Sequence, residues 1–120
     1  MEPVNLFDVS GRVYAITGAG GALCGVMAAE LAGRGARVAL LDIDEAAVGE
    51  RARTIRAAGG EAMPLACNVL DSDSITAAAD AIAAEWGDPD VLINGAGGNH
   101  PSGSTSEAFA TPELVAGEDA

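Results

Sequence analysis

The sequence predicts an α/β fold built on a doubly wound parallel sheet, and three observations carry that expectation. Short apolar runs alternate with longer segments of helical spacing, the signature of consecutive βαβ units. A glycine cluster, Gly18-Ala19-Gly20-Gly21, joins the first apolar run to the first helical segment, and the second apolar run ends on an acid, Asp42. Hydrophobic residues make up 49% and aromatic residues only 3%, which describes a packed core of Ala, Val, Leu and Ile and excludes a disordered chain.

The first strand is expected from Arg12 to Thr17. In the helix that follows, Leu23, Met27 and Leu31 recur every four residues with Val26 beside them, and Glu30 and Arg34 form an i,i+4 pair on the other side. Gly33 and Gly35 stop this helix, and Ala36 to Asp42 reads as a strand that is apolar on both faces, as buried parallel strands are. Asp44 stands at an N-cap position, and Val48, Ala52 and Ile55 mark the buried stripe of a second helix ending at Gly59-Gly60. Glu61 to Cys67 is the third strand; its Pro64 lacks a ladder donor and points to a sheet edge. Asp71 or Ser72 caps a third helix with Ile75, Ala79, Ile82 and Trp86 on one face, which finishes at Gly87, and Asp90 to Asn94 is the fourth strand.

A strand order of 3-2-1-4 puts Pro64 on a natural edge and leaves Val91, Leu92 and Ile93 unprotected at the other. The isolated chain is therefore expected to be marginally stable, aggregation-prone or oligomeric. The 120 residues allow one small domain, 1–120, without repeats or linkers. Residues 98–120 lack periodicity and form either an active-site rim completed by later sequence or a disordered tail.

Charge narrows the partners. Eighteen Asp and Glu oppose six cations, all Arg, for a net charge of −12, and there is no Lys. Nucleic-acid phosphates and anionic membrane surfaces would be repelled, so neither is an expected partner. The N-terminus carries no signal-peptide pattern and no stretch is long and apolar enough to span a bilayer, which makes the cytoplasm the default compartment. Cys24 and Cys67 read as two reduced, packed thiols, although Cys24, near a helix N-terminus, is open to a redox role. With one His and no cluster of ligands at metal spacing, no metal site is expected.

The segment Thr17-Gly18-Ala19-Gly20-Gly21-Ala22-Leu23 lies between strand and helix. Glycines there let the backbone turn sharply and approach a pyrophosphate at the helix N-terminus, though the same turn also serves as a plain tight connection. The strict Gly-x-Gly-x-x-Gly spacing is not kept, and no Gly-Lys-Ser/Thr follows, which excludes a P-loop. Asp42, at the end of the second strand, either accepts hydrogen bonds from ribose hydroxyls and repels a 2′-phosphate, favouring NAD over NADP, or caps the next helix. Arg51, Arg53 and Arg56 read as the solvated face of the second helix. His100 is either an exposed loop residue or a contact for a substrate carboxylate or hydroxyl.

Taken together, these residues resemble the short-chain dehydrogenases/reductases. Thr17, Gly18, Ala28, Leu31, Ala32, Gly35, Ala36 and Asp42 fall in that family's register without a gap. Asn68-Val69 stands where the family has Asp-Val, and Asn94-Gly95-Ala96-Gly97 where it has Asn-Asn-Ala-Gly; the likeness covers roughly residues 6 to 100. It implies a Rossmann-type domain binding NAD through Gly18, Gly20, Gly21, Leu23, Asp42, Ile43, Asn68, Val69, Asn94, Gly95, Ala96 and Gly97, a small-molecule substrate, and a homo-oligomer in the complete protein. Leu92 to Pro101 is similar to a subgroup acting on sugar acids such as fructuronate, mannonate and gluconate.

Four positions depart from the pattern. The last two glycines of the turn are Ala22 and Cys24, and a side chain at 24 is expected to crowd the helix against the strand and weaken the nucleotide site. Asn68 keeps a hydrogen-bonding side chain but no charge, and Gly95 loses a side-chain bond that would steady its loop. The family's catalytic Ser, Tyr and Lys lie beyond the fourth strand, whereas here there is no Lys and the single Tyr, Tyr14, is in the first strand. No catalytic residue is assigned, and the chain is expected to be the truncated, cofactor-binding half of an NAD-dependent oxidoreductase, or else a catalytically silent dinucleotide-binding module.

Overall fold

A computed structural model describes residues 6–97. Four strands, β1 (Val13–Thr17), β2 (Arg37–Asp42), β3 (Glu61–Ala66) and β4 (Val91–Asn94), alternate with three helices, α1 (Ala22–Gly33), α2 (Glu45–Ala57) and α3 (Ser72–Trp86). The strands form one parallel sheet in the order β3-β2-β1-β4. Each strand agrees with its expected span to within one residue, the differences lying where ladders fray. Pro64 is on β3, which among the described residues is an edge strand paired with β2, the place in a sheet where a missing N–H is tolerated.

Alternation along the strands divides the core into two layers. Tyr14 and Ile16 of β1, with Val38 and Leu40 of β2, meet α1 and α2 on one face. Val13, Ala15, Ala39 and Leu41 meet Ala78 and Ile82 of α3 on the other. All five residues of β1 are buried, as a central parallel strand requires. Among the described residues β4 has one neighbour, β1; Val91 and Ile93 pack on the α1 side, and Leu92 is 58% exposed on the opposite face.

The α2 stripe of Val48, Ala52 and Ile55 is buried, and Asp44 caps that helix by accepting from the Ala47 N–H at 3.1 Å. Asp71 is the cap of α3, through the Asp73 N–H at 3.0 Å. The inward faces of α1 and α3 match the expected ones in part: Met27 and Leu31 of α1 and Ile82 and Trp86 of α3 pack against the sheet, and the rest differ. In α1 the buried residues are Cys24, Gly25, Ala28 and Ala32, whereas Leu23 and Val26 are 74% and 63% exposed. This helix is apolar around most of its circumference, so spacing alone could not select a face. Close packing on the sheet selected the small side chains. In α3 the buried pair is Ala78 and Ile82, with Ile75 and Ala79 outside.

The arginines also need a correction. Arg53 and Arg56 are exposed, Arg53 paired with Glu50 and Arg56 bonded to the Ala62 carbonyl. Arg51 is half-buried: its guanidinium lies over Gly25 and donates to the Gly21 carbonyl at 3.2 Å, joining α2 to the start of α1. Only a helix residue without a side chain leaves room for it. Cys24 and Cys67 are both buried and unbridged.

Candidate functional site

The strands all end on one side of the sheet, and the chain reverses its direction of travel across the sheet between β1 and β4. Such a switch point opens a crevice beyond the carboxyl ends of the strands. A cavity of about 630 Å³ lies here, bordered by the turn after β1, the ends of β2 and β3, and the segment after β4.

The turn after β1 is shaped by Gly18, whose φ of +67° suits glycine. A Cβ there would sit 2.6 Å from the Gly95 carbonyl oxygen, so the two turns meet backbone to backbone. Thr17 fastens them: its buried hydroxyl oxygen accepts from the Gly95 N–H at 3.0 Å and the Ala96 N–H at 3.1 Å. Gly21 is the N-cap of α1 and supplies no side-chain cap, and the first turn of α1 contains no acid. Its leading N–H groups, with the positive end of the helix dipole, are therefore available to an anion.

Asp42 anchors the other side. One carboxylate oxygen accepts from the Gly20 N–H at 2.9 Å and the second from the Asp44 N–H, also at 2.9 Å. Each oxygen keeps a further lone pair for a ligand hydroxyl. Asp42 is thus a structural acceptor for the glycine turn as well as a wall of the cavity. It does not cap α2, which Asp44 does. Asn68 closes an Asx-type turn, its Oδ1 accepting from the Leu70 N–H at 3.0 Å, and its own N–H donates to Ser74 Oγ at 2.8 Å. Three large apolar side chains on the rim, Ile43, Val69 and Leu70, are 73%, 41% and 87% exposed, the kind of uncovered surface that marks a ligand wall.

Of the residues expected from the sequence, Gly18, Gly21, Asp42, Ile43, Asn68, Val69, Gly95, Ala96 and Gly97 border this one cavity. Gly20 does not; it borders a smaller groove of about 340 Å³ between α1 and α2 and touches the cavity only through its bond to Asp42. Leu23, the second residue of α1, has its side chain exposed, and Asn94 ends β4; neither is part of the wall. His100 lies outside the described residues. Leu41, Cys67 and Leu70 line the cavity without having been expected. Their signal was positional, since Leu41 adjoins Asp42 and Cys67 and Leu70 flank Asn68-Val69. Thr17 was visible only as part of a motif, and its clamping role depends on β4. Among the described residues, no group of three or more His, Cys, Asp or Glu could hold a metal ion, and no helix is long and apolar enough to cross a membrane.

Comparison with known proteins agrees with this geometry. The family model for short chain dehydrogenases matches residues 12–113. An uncharacterised oxidoreductase from Haemophilus influenzae is 39% identical over 102 residues, covering 85% of this chain and 36% of the relative. The uncharacterised oxidoreductase UxuB of Bacillus subtilis is 43% identical over 98 residues, covering 82% and 35%. Among solved structures, a candidate D-mannonate oxidoreductase from Haemophilus influenza with bound NAD superposes with a TM-score of 0.72 at 39% identity, over 87% of this chain and 37% of that one. A metagenomic short-chain oxidoreductase in complex with NADP gives 0.71 at 41% identity, over 76% and 41%. The chain spans about a third of the length of the curated relatives it matches. With a matching family model over most of its length and the parallel 3-2-1-4 sheet beneath the glycine turn, the chain belongs to the short-chain dehydrogenase family.

Proposed function

We propose that this chain is the NAD-binding part of a short-chain oxidoreductase that moves hydride between nicotinamide and a hydroxyl or carbonyl carbon of a sugar acid. The observation that carries it is the convergence of the glycine turn, the uncapped α1 N-terminus, Asp42 and the Gly95–Gly97 segment on one cavity. NAD, when bound, supplies the hydride acceptor; the chain supplies binding and orientation. Gly18, Gly21 and the leading amides of α1 receive the pyrophosphate. The spare lone pairs of Asp42 accept the adenosine ribose hydroxyls, and its charge opposes a 2′-phosphate. Ile43, Val69 and Leu70 provide apolar walls for the adenine, with Asn68 as a polar contact, and Ala96 and Gly97 leave open space toward the nicotinamide. Leu23 and Asn94 act from the edge of the site, and Gly20 acts through Asp42.

No residue of the chain is assigned to proton transfer at the substrate oxygen. It contains no Lys, and Tyr14 is buried in β1 on the α1–α2 side of the sheet. That observation equally favours a second reading, a dinucleotide-binding module without turnover. The sugar-acid class is supported by the candidate D-mannonate oxidoreductase among the structural neighbours. The exposed Leu92 on β4, an edge strand among the described residues, supports a homo-oligomer, and the cytoplasm is the proposed compartment. Calorimetric titration of the chain with NAD and NADP is the test. Saturable NAD binding that is tighter than NADP binding supports the proposal, and no heat from either at millimolar concentration overturns it. Mannonate-dependent reduction of NAD by the polypeptide isolated from its native source separates the enzyme from the silent module.

A further inference from the structure

Two departures from the family pattern, Cys24 and Gly95, are distant in sequence and meet at one crossing. Cys24 is in the first turn of α1 and is 6% exposed; Gly95 follows β4. A Cβ built on Gly95 would fall far inside the contact distance of Cys24 Sγ, and also 2.8 Å from the Thr17 carbonyl oxygen. The pattern that this sequence resembles has a side chain at the second position and none at the first; here the side chain stands on the helix side. The volume has changed sides at a crossing that holds one side chain and not two.

We propose that Cys24 and Gly95 are a size-complementary pair, in which the Cys24 thiol fills the space of the missing side chain and so positions the Gly95–Gly97 wall of the cavity. Cys24 is thus a positioning residue, not a reactive thiol, and its presence explains why position 95 is glycine although its backbone has no positive φ. The Thr17 hydroxyl fixes the Gly95 and Ala96 amides from one side, and the sulfur supports the same turn from below. The crowding expected from Cys24 is relieved at position 95 instead of displacing α1.

The binding arm of the test rests on the proposed dinucleotide site, whereas the stability arm does not. Thermal melts of the full chain are compared for the parent, Gly95→Ala, Cys24→Ala and the double variant. Removing the sulfur leaves the Cys24 Cβ 3.4 Å from the added methyl, an ordinary contact, with the Thr17 carbonyl as the remaining obstacle. Gly95→Ala is expected to lower Tm by on the order of 10 °C in the parent and by less than half as much beside Cys24→Ala. Equal shifts in the two backgrounds overturn the pair. If Gly95→Ala fails to fold, amide exchange in Cys24→Ala decides: the Gly95 and Ala96 amides should exchange roughly tenfold faster with Cys67 unchanged, and unaltered exchange overturns the positioning role. NAD affinity of the parent should fall about tenfold in Gly95→Ala and recover in the double variant, with Gly49→Ala, which meets nothing within 4 Å, as the neutral control. A parent with no NAD affinity counts against the proposed function and leaves the melts to judge the pair.

Discussion

Replacing Asp42 separates two roles of one carboxylate. Its oxygens accept from the Gly20 and Asp44 amides, both at 2.9 Å, and both bonds are charge-assisted. Asp42→Ala removes both acceptors at a half-exposed position, where water compensates in part, so a loss of about 2 kcal/mol is expected. For a domain of this size that corresponds to a fall in Tm of roughly 10 °C. Asp42→Asn keeps one acceptor oxygen and the side-chain volume while removing the charge, so its stability cost should be about half as large. Discrimination behaves differently, because it follows the charge. A 2′-phosphate near a carboxylate is opposed by about 1–3 kcal/mol in a partly hydrated crevice, or about 5- to 150-fold in relative affinity. The ratio of the NADP and NAD dissociation constants should therefore collapse toward unity in both variants, while Tm falls mainly in Asp42→Ala. Calorimetric titration with each dinucleotide, beside thermal melts, measures both. An NAD preference that survives Asp42→Asn unchanged refutes the electrostatic reasoning, and a Tm unaffected by Asp42→Ala refutes the anchoring role.

Other expected outcomes follow from the same contacts. Thr17→Val strips two amide donors of their acceptor and should cost about 1–3 kcal/mol by urea denaturation, with Thr17→Ser restoring most of it; equal losses for both would point to packing instead. Leu40→Ala, at a fully buried β2 position, should cost about 2–5 kcal/mol, a large share of the stability of so small a domain. Arg51→Met keeps much of the side-chain length but loses the bond to the Gly21 carbonyl, so a modest destabilisation of about 1 kcal/mol is expected together with weaker NAD binding. Leu92→Lys on the β4 edge should leave Tm nearly unchanged and reduce self-association in sedimentation velocity; unchanged association would remove this edge as its source.

The order of elements, the edge position of Pro64 and the caps at Asp44 and Asp71 were legible in the sequence because each is a local property. A proline lacks its donor wherever it sits, and a carboxylate reaches amides two or three residues ahead of it in the chain. The site was legible to a similar depth: the glycine turn, Asp42, Asn68-Val69 and Asn94 to Gly97 stand at the ends of strands that the periodicity had marked, and parallel topology gathers those ends on one side. The inward faces of α1 and α3 were legible only in part, through Met27, Leu31, Ile82 and Trp86. Leu23 and Val26 have the composition of core residues, and only the short distance from helix to sheet excluded them in favour of Cys24, Gly25 and Ala28. Arg51 looked like its neighbours at 53 and 56 until Gly25, on another helix, supplied a seat for its guanidinium.

What the sequence alone determined was the set of local conformations and the chemistry arrayed along them, since backbone preferences, caps and periodicity act over a few residues. What only the tertiary structure decided was which side chains share a space. Cys24 and Gly95 are 71 positions apart in sequence and looked like two unrelated losses from the pattern. They become one fitted contact when β4 pairs with β1, because packing volume is a property of a crossing and not of a residue.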